Sequence, residues 1–246
     1  MKNAGRFVVV LLVVFAARFG IDEYRTRTLK FDDAVESIRK TQSDMADMFG
    51  TMHQLFPNEY AEFSKSMEAQ ARAGASREDV RLTAGNGMRQ FMKIHLQELA
   101  QAPNANLRAF NQQQIAVAKA LNEVDSTLCA HFVMTGLQPT DRPPESLLSE
   151  LGKAGVIQLN AIAAGRKSPA GRKVDTISDA DAAAMVEAIR GAGLTDSDLK
   201  IFGTPAKLAA TTPGTQCRLG TAMLEGVLTM PEDQAGRIMG YLLTQA

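Results

Sequence analysis

The hydrophobic residues of this chain recur at spacings of three and four through most of its length, which is the spacing of amphipathic α-helices. The sequence has no run in which β-branched and polar residues alternate, the pattern typical of strands. We therefore predict an all-α protein, with a multi-helix, bundle-like soluble body that follows an N-terminal hydrophobic helix.

The N-terminal hydrophobic helix has two interpretations. Lys2 and Arg6 precede an apolar stretch over residues 7–21, which only Arg18 interrupts. A basic start, a short apolar core and small residues behind it are typical of a cleaved signal peptide. A retained single-pass anchor is the second interpretation, because a cation near a helix end can extend its charge to the membrane surface. We therefore predict that residues 1–21 are a signal peptide or a membrane anchor and that residues 7–21 contact the membrane.

The orientation of this segment is also open. Two basic residues, Lys2 and Arg6, precede the apolar run over residues 7–15, and four follow it, namely Arg18, Arg25, Arg27 and Lys30. This bias favours an anchored protein with a cytoplasmic body. That orientation requires a doubly basic N-terminus to cross the membrane, whereas long following domains cross largely regardless of their charge. We therefore expect a body that is anchored or secreted on the periplasmic or extracytoplasmic side, with the anchored cytoplasmic body as the alternative.

Behind the apolar stretch, hydrophobic residues continue in heptad register as far as Phe56. One interpretation is a long membrane-proximal helix whose seam faces a partner protein. The other is an amphipathic helix packed against its own neighbours, which the poor helix formers Thr28 and Gly50 favour. The candidate partner-facing residues are Val35, Ile38, Met45, Phe49, Met52 and Phe56.

Proline, glycine and capping patterns divide the rest of the chain into helix-length segments. The Pro- and charge-rich residues 138–144 are the predicted linker between an N-terminal helical region, 22–137, and a C-terminal one, 145–246. Predicted helix starts and stops lie at Pro57, Gly74, Ser76 with Asp79, Pro103, Asn106, Gly136, Ser178 with Asp181, Thr195 with Asp198, Gly203, Pro213 and Pro231. Gly236 and Gly240 predict close packing of the last helix onto the soluble core.

Composition and charge narrow the class of partner. The 246 residues carry 27 basic and 27 acidic side chains, with a sequence pI near 6.8, so the broad basic field that nucleic acid requires is lacking. Twelve methionines and no tryptophan indicate pliable helix packing or a pliable partner surface. We expect another protein as the partner, no nucleic acid, and an organisation compatible with a homo-oligomer.

Two further features concern cysteines and a basic loop. Cys129 and Cys217 are the disulfide candidate in an exported protein, and two buried free thiols are the alternative. The loop over residues 165–173 gathers basic side chains without the spacing of a phosphate-binding P-loop. It is either a solvated loop or a contact for an anion or a lipid headgroup. The residues of that contact are Arg166, Lys167, Arg172 and Lys173.

The sequence provides no assembled catalytic, metal or cofactor motif. His53, His95 and His131 are far apart, and His95 with Glu98 reverses the order found in di-iron bundles. We therefore expect no cofactor and a non-enzymatic protein-binding or scaffold protein of the cell envelope, tethered to the membrane or exported. The alternative is an exported hydrolase with a cryptic carboxylate and histidine site.

Overall fold

The computed structural model describes residues 30–245, which form twelve α-helices and one 3-10 turn and contain no β-strand. The all-α prediction is confirmed for this part of the chain, and the predicted hydrophobic helix over residues 7–21 lies outside it. No helix among the described residues is both long and apolar enough to cross a bilayer. The helices are α1 (Phe31–Arg39), α2 (Ser43–Leu55), α3 (Pro57–Arg72), α4 (Arg77–Ala100), α5 (Asn104–Val124), α6 (Ser126–Thr135), α7 (Leu148–Lys167), α8 (Asp179–Gly191), α9 (Asp196–Phe202), α10 (Pro205–Ala209), α11 (Pro213–Thr229) and α12 (Glu232–Thr244), and the 3-10 turn is Glu145–Leu147.

The described chain divides into two compact units, each assembled from two segments. The first unit comprises residues 95–136 and 161–245, and the second comprises residues 30–94 and 137–160. Helices α4 and α7 therefore contribute to both units. This division differs from the predicted halves on either side of a linker at 138–144.

The predicted linker is a folded turn of the second unit. Leu137 and Asp141 are buried, and Asp141 accepts a hydrogen bond from the backbone amide of Gln138 at 2.6 Å. Arg89 on α4 donates to the Leu137 carbonyl at 3.3 Å and also to the Gln138 side chain. The prolines and charged residues of this segment thus belong to a turn that is held against α4. The sequence alone does not distinguish such a turn from a linker.

Aromatic side chains from four helices form the core of the second unit. The rings of Phe31, Phe49 and Phe63 lie 5.4 to 6.0 Å apart between centroids, and Phe56 meets Phe91 edge to face at 5.0 Å. Such arrangements stabilise beyond the burial of apolar area. The core therefore joins residues that the sequence spreads over α1 to α4.

The heptad seam belongs to this core. Its six residues Val35, Ile38, Met45, Phe49, Met52 and Phe56 are each between 0 and 8% exposed. The expected continuous helix is interrupted at Thr41 and Gln42, so α1 and α2 are separate helices. Since a side chain buried within its own chain does not face a partner, this arrangement favours the second interpretation, helices packed against their own neighbours.

Close helix contacts at glycine organise the first unit. A Cβ on Gly226 of α11 would approach the backbone nitrogen of Ile189 in α8 to 2.9 Å, and one on Gly220 would overlap Val133 of α6. A Cβ on Gly240 would lie 2.9 Å from the Ala100 carbonyl oxygen. The predicted close packing of the last helix is therefore present in this unit.

Candidate functional site

The basic loop that follows α7 is held down by Arg172. Its guanidinium donates to the carbonyl oxygens of Ala100 and Ala102, each at 2.7 Å, and to Asn104 Oδ1 at 2.6 Å. Ala100 ends α4, so the cation satisfies carbonyls left without partners at a helix C-terminus. Burial lowers the pKa of Arg172 from its ordinary value.

Backbone hydrogen bonds hold the same loop to the end of α4. The Gln101 side chain donates to the Arg172 carbonyl at 2.7 Å and accepts from the Arg172 amide at 3.1 Å. The Ala170 amide donates to the Gln101 carbonyl at 2.9 Å. Gly171, which lies between Ala170 and Arg172 in the chain, has a φ of 67°. The left-handed conformation at Gly171 is one that glycine adopts without strain.

The four basic residues predicted to contact an anion thus have different roles. Arg172 is a structural cap, and Arg166 lies 3.1 Å from His95 Nδ1 and 3.8 Å from Glu98 Oε1. Lys167 and Lys173 are exposed. For an anion contact, the structure leaves exposed ammonium groups at these two lysines.

Lys173 also lines an open groove with a volume of about 420 Å³ at the start of α8. The other lining residues are Thr176, Ile177, Ser178, Asp181 and Arg237. Ser178 is the N-cap of α8 and accepts from the Asp181 amide at 3.0 Å, as its sequence pattern predicts. This groove is the candidate functional site of the first unit.

The carboxylate in the groove is fully engaged by its neighbours. Asp181 accepts hydrogen bonds from Arg237 at 2.8 and 2.9 Å and from Gln234 at 3.0 Å. The Arg237 guanidinium and the Gln234 amide hold the pKa of Asp181 well below its usual range. A carboxylate that is so reluctant to take a proton is a poor general base near neutral pH. Asp181 is therefore an ionised acceptor that is already committed to Arg237 and Gln234.

A second carboxylate is engaged in the same way outside the groove. Asp198 accepts from Arg218 at 2.5 and 3.3 Å and from the Thr195 hydroxyl at 2.8 Å. Arg218 and Thr195 lower the pKa of Asp198, so this group also remains an ionised acceptor. The predicted Thr195 and Asp198 capping box is confirmed, and Arg218 links it to α11.

The three histidines have separate surroundings. His53 is exposed and stacks on Tyr60 with ring centroids 4.5 Å apart, whereas His95 is 3% exposed with Nδ1 3.4 Å from Glu98 Oε1. Tyr60 donates to Asp32 at 2.6 Å, and burial together with this bond raises its pKa. Among residues 30–245, no three His, Cys, Asp or Glu side chains are grouped to hold a metal ion.

Cys129 and Cys217 lie at disulfide distance and join α6 to α11, as predicted. Their Cα atoms are 5.3 Å apart, and their side chains are 0% and 3% exposed. The Cα separation is within the range that a disulfide requires. The glycine contact between Gly220 and Val133 lies one turn further along both helices.

Sequence reasoning missed the cap formed by Arg172 and two buried amides, Asn111 and Gln114. Nothing in the loop sequence distinguishes the inward-turned arginine from its exposed neighbours. For Gln114 a signal is present, because it occupies the heptad core position between Phe110 and Val117, where burial is expected. Comparisons with protein-family models, with curated proteins and with solved structures found no match for this chain.

Proposed function

We propose that this protein is an exported or membrane-tethered helical protein of the cell envelope that acts by binding another protein. The observation that supports its location is the paired Cys129 and Cys217. Disulfides form and persist in oxidising compartments and are rare in the cytosol. A cysteine pair buried in the packing of α6 against α11 is part of the fold, as expected of a structural bridge.

The binding role is supported by what the charged side chains do. Asp181 accepts from Arg237 and Gln234, Asp198 accepts from Arg218 and the cap residue Thr195, and Arg172 caps the end of α4. These groups hold helices in place. The exposed surface beside them includes the groove that Lys173 lines, and this groove is our candidate for the surface that binds the partner protein.

The location is tested by trapping cysteine thiols in cells. Cells that produce the full chain with a C-terminal tag are treated with acid and then with a maleimide of known mass, and the intact mass is measured in each fraction. We expect the full chain outside the cytosol with no maleimide attached. The matched control deletes residues 2–21, and this variant should stay in the cytosol with two maleimides attached. Two free thiols in the full chain, or the same fraction for both chains, would reject the proposed location.

The binding role needs its own measurement. The full chain is captured from detergent-solubilised cells after crosslinking, beside an otherwise identical chain in which Lys167 and Lys173 are both replaced by glutamate. We expect one protein to be recovered reproducibly with the native chain and less of it with the variant. Equal recovery would show that the groove side of the first unit is not the binding surface.

The alternative function is an exported hydrolase, and one pair of groups favours it. His95 Nδ1 lies 3.4 Å from Glu98 Oε1 on one face of α4, which brings a base and a carboxylate together. A screen with ester, peptide and glycoside substrates, repeated with His95→Asn, tests this reading. Turnover that the substitution abolishes without loss of folding would replace the binding proposal.

A further inference from the structure

A buried histidine lies where the end of α7 packs against α4 in the first unit. The side chain of His95 on α4 is 3% exposed. A Cβ on Gly165 of α7 would lie 1.8 Å from the Glu98 carbonyl oxygen of α4, so the two helices meet here backbone to backbone. This close contact brings the next residue of α7, Arg166, against the imidazole of His95.

Charged groups face one ring nitrogen of His95 from both helices. Arg166 Nη2 lies 3.1 Å from His95 Nδ1, and Glu98 Oε1 lies 3.4 Å from the same nitrogen. Arg166 and Glu98 also form an ion pair, with Nε 3.8 Å from Oε1. A guanidinium only donates and an ionised carboxylate only accepts, so Nδ1 cannot serve both neighbours in one protonation state.

The shorter of the two contacts defines the neutral state of the ring. Because arginine keeps all its protons, Nδ1 must accept from Arg166, and the proton of the neutral imidazole is then on Nε2. In this state Glu98 is close to Nδ1 but receives no hydrogen bond from it. In a protonated imidazole both ring nitrogens are donors, so Nδ1 of His95 could then donate only to the carboxylate of Glu98.

We propose that His95 is a proton-operated switch, in which protonation of the ring exchanges Arg166 for Glu98 as the partner of Nδ1. The charged ring repels the guanidinium, whereas the carboxylate of Glu98 compensates the charge that burial opposes. Arg166 is 43% exposed, so its Nη2 has solvent to turn into while its Nε stays paired with Glu98. Protonation thus adds one positive charge at the end of α7, beside the exposed Lys167.

The position of the ring proton tests the neutral state. In the full chain or its secreted form, labelled at the histidine nitrogens, nuclear magnetic resonance distinguishes protonated from unprotonated ring nitrogens, and His95→Asn identifies the signals of this residue. At about pH 8, where imidazoles are ordinarily neutral, we expect the proton of His95 on Nε2. Arg166→Met should move this proton to Nδ1, which then donates to Glu98. The matched control Lys167→Met, at the exposed cation one residue further on, should leave it on Nε2. A proton on Nδ1 in the native chain, or no effect of Arg166→Met, would overturn the assignment.

Acidification tests the exchange of partners. Between about pH 8 and about pH 5, the range in which imidazoles take up a proton, His95 should become protonated on both nitrogens. The side-chain signals of Arg166 should move in step, toward those of a solvated arginine. In Glu98→Met, which lacks the acceptor for the charged ring, most of this movement should be lost. The exposed His53 reports the titration of an ordinary imidazole in the same spectra. Arg166 signals that stay fixed while His95 gains its proton, or a His95 ring that stays neutral at about pH 5 while His53 is protonated, would overturn the switch.

Discussion

Removing the bridge between Cys129 and Cys217 is the perturbation for which the structure gives the clearest expectation. The two residues are 88 positions apart and fix α6 to α11. Replacing both by alanine leaves no buried unpaired thiol and preserves the glycine contact one turn away. The double variant therefore isolates the effect of the crosslink, apart from a small loss of buried sulfur.

The size of the effect follows from the loop that the bridge closes. For a separation of this length, the chain-entropy relation gives about 4.6 kcal/mol of stabilisation at 25 °C, chiefly through the unfolded chain. Native disulfides measured by removal contribute about 2–5 kcal/mol, so a loss near 4 kcal/mol is expected. For a chain of this size, this corresponds to a fall in Tm of about 8–16 °C.

The assay is denaturant unfolding of the oxidised protein and of Cys129→Ala/Cys217→Ala, with and without reductant. The variant should also show a larger m-value, because its unfolded chain is less compact once the crosslink is gone. Reductant should destabilise the native protein and leave the variant unchanged, which is the internal control. If the variant and the native protein, with its bridge verified by mass, are equally stable without reductant, the assignment of this stabilisation to loop closure is refuted.

Three other substitutions test close contacts within the first unit. Gly165→Ala should cost about 3 kcal/mol in the free energy of unfolding, since the new Cβ would overlap a backbone carbonyl of α4. Asp181→Asn should cost about 1–2 kcal/mol at pH 7, because the partner Arg237 is about half exposed. The pKa of Asp181 is lower in the folded than in the unfolded chain. The ionised Asp181 therefore contributes its full stabilisation of the fold at any pH above the pKa that it has in the unfolded chain. Unfolding curves should therefore show the difference from Asp181→Asn shrinking as the pH falls below about 4, the ordinary pKa of an aspartate. Arg172→Met should cost about 2–3 kcal/mol in denaturant unfolding, because two carbonyls at the end of α4 and the Asn104 side chain at the start of α5 lose their donor.

Each of these substitutions has a matched control in the same chain. Gly191→Ala adds a methyl group with nothing within 4 Å and should be neutral or stabilising by up to about 1 kcal/mol. Asp179→Asn changes an exposed acid of the same helix turn, and Lys167→Met an exposed cation of the same loop, each by about 0.5 kcal/mol or less. Equal losses for a substitution and its control would contradict the contact assigned to it.

Local chemistry made many helix boundaries predictable. Ser178 and Thr195 cap their helices as predicted, and Pro57 and Pro213 begin theirs, since a cap or a proline at a first turn acts within four residues. The break at Asp125 was missed. The hydrophobic spacing continues through it, although Asp125 accepts from the Thr127 amide at 2.7 Å and caps α6.

The remaining features depend on contacts between distant segments. Arg172 donates to carbonyls some seventy residues earlier, and Asn111 of α5 donates to the Leu224 carbonyl of α11, 113 residues later. The heptad seam was correctly identified as a hydrophobic face. Whether such a face meets its own chain or another is decided by tertiary packing, and here α3 and α4 provide the covering aromatic rings.

Burial of the seam changes the kind of interface that we expect. Among residues 30–245 the only strongly exposed large hydrophobic side chains are Ile94 and Val124, whereas obligate interfaces bury extensive apolar surface. We therefore expect the binding that we propose for the described body to rely on polar and charged contacts, such as those around Lys173, and contacts of that kind are screened by salt. We expect recovery of the crosslinker-free complex to fall several-fold when the salt concentration is raised from about 0.05 M to about 0.5 M. Recovery that is unchanged or increased would indicate an apolar interface and would contradict this inference.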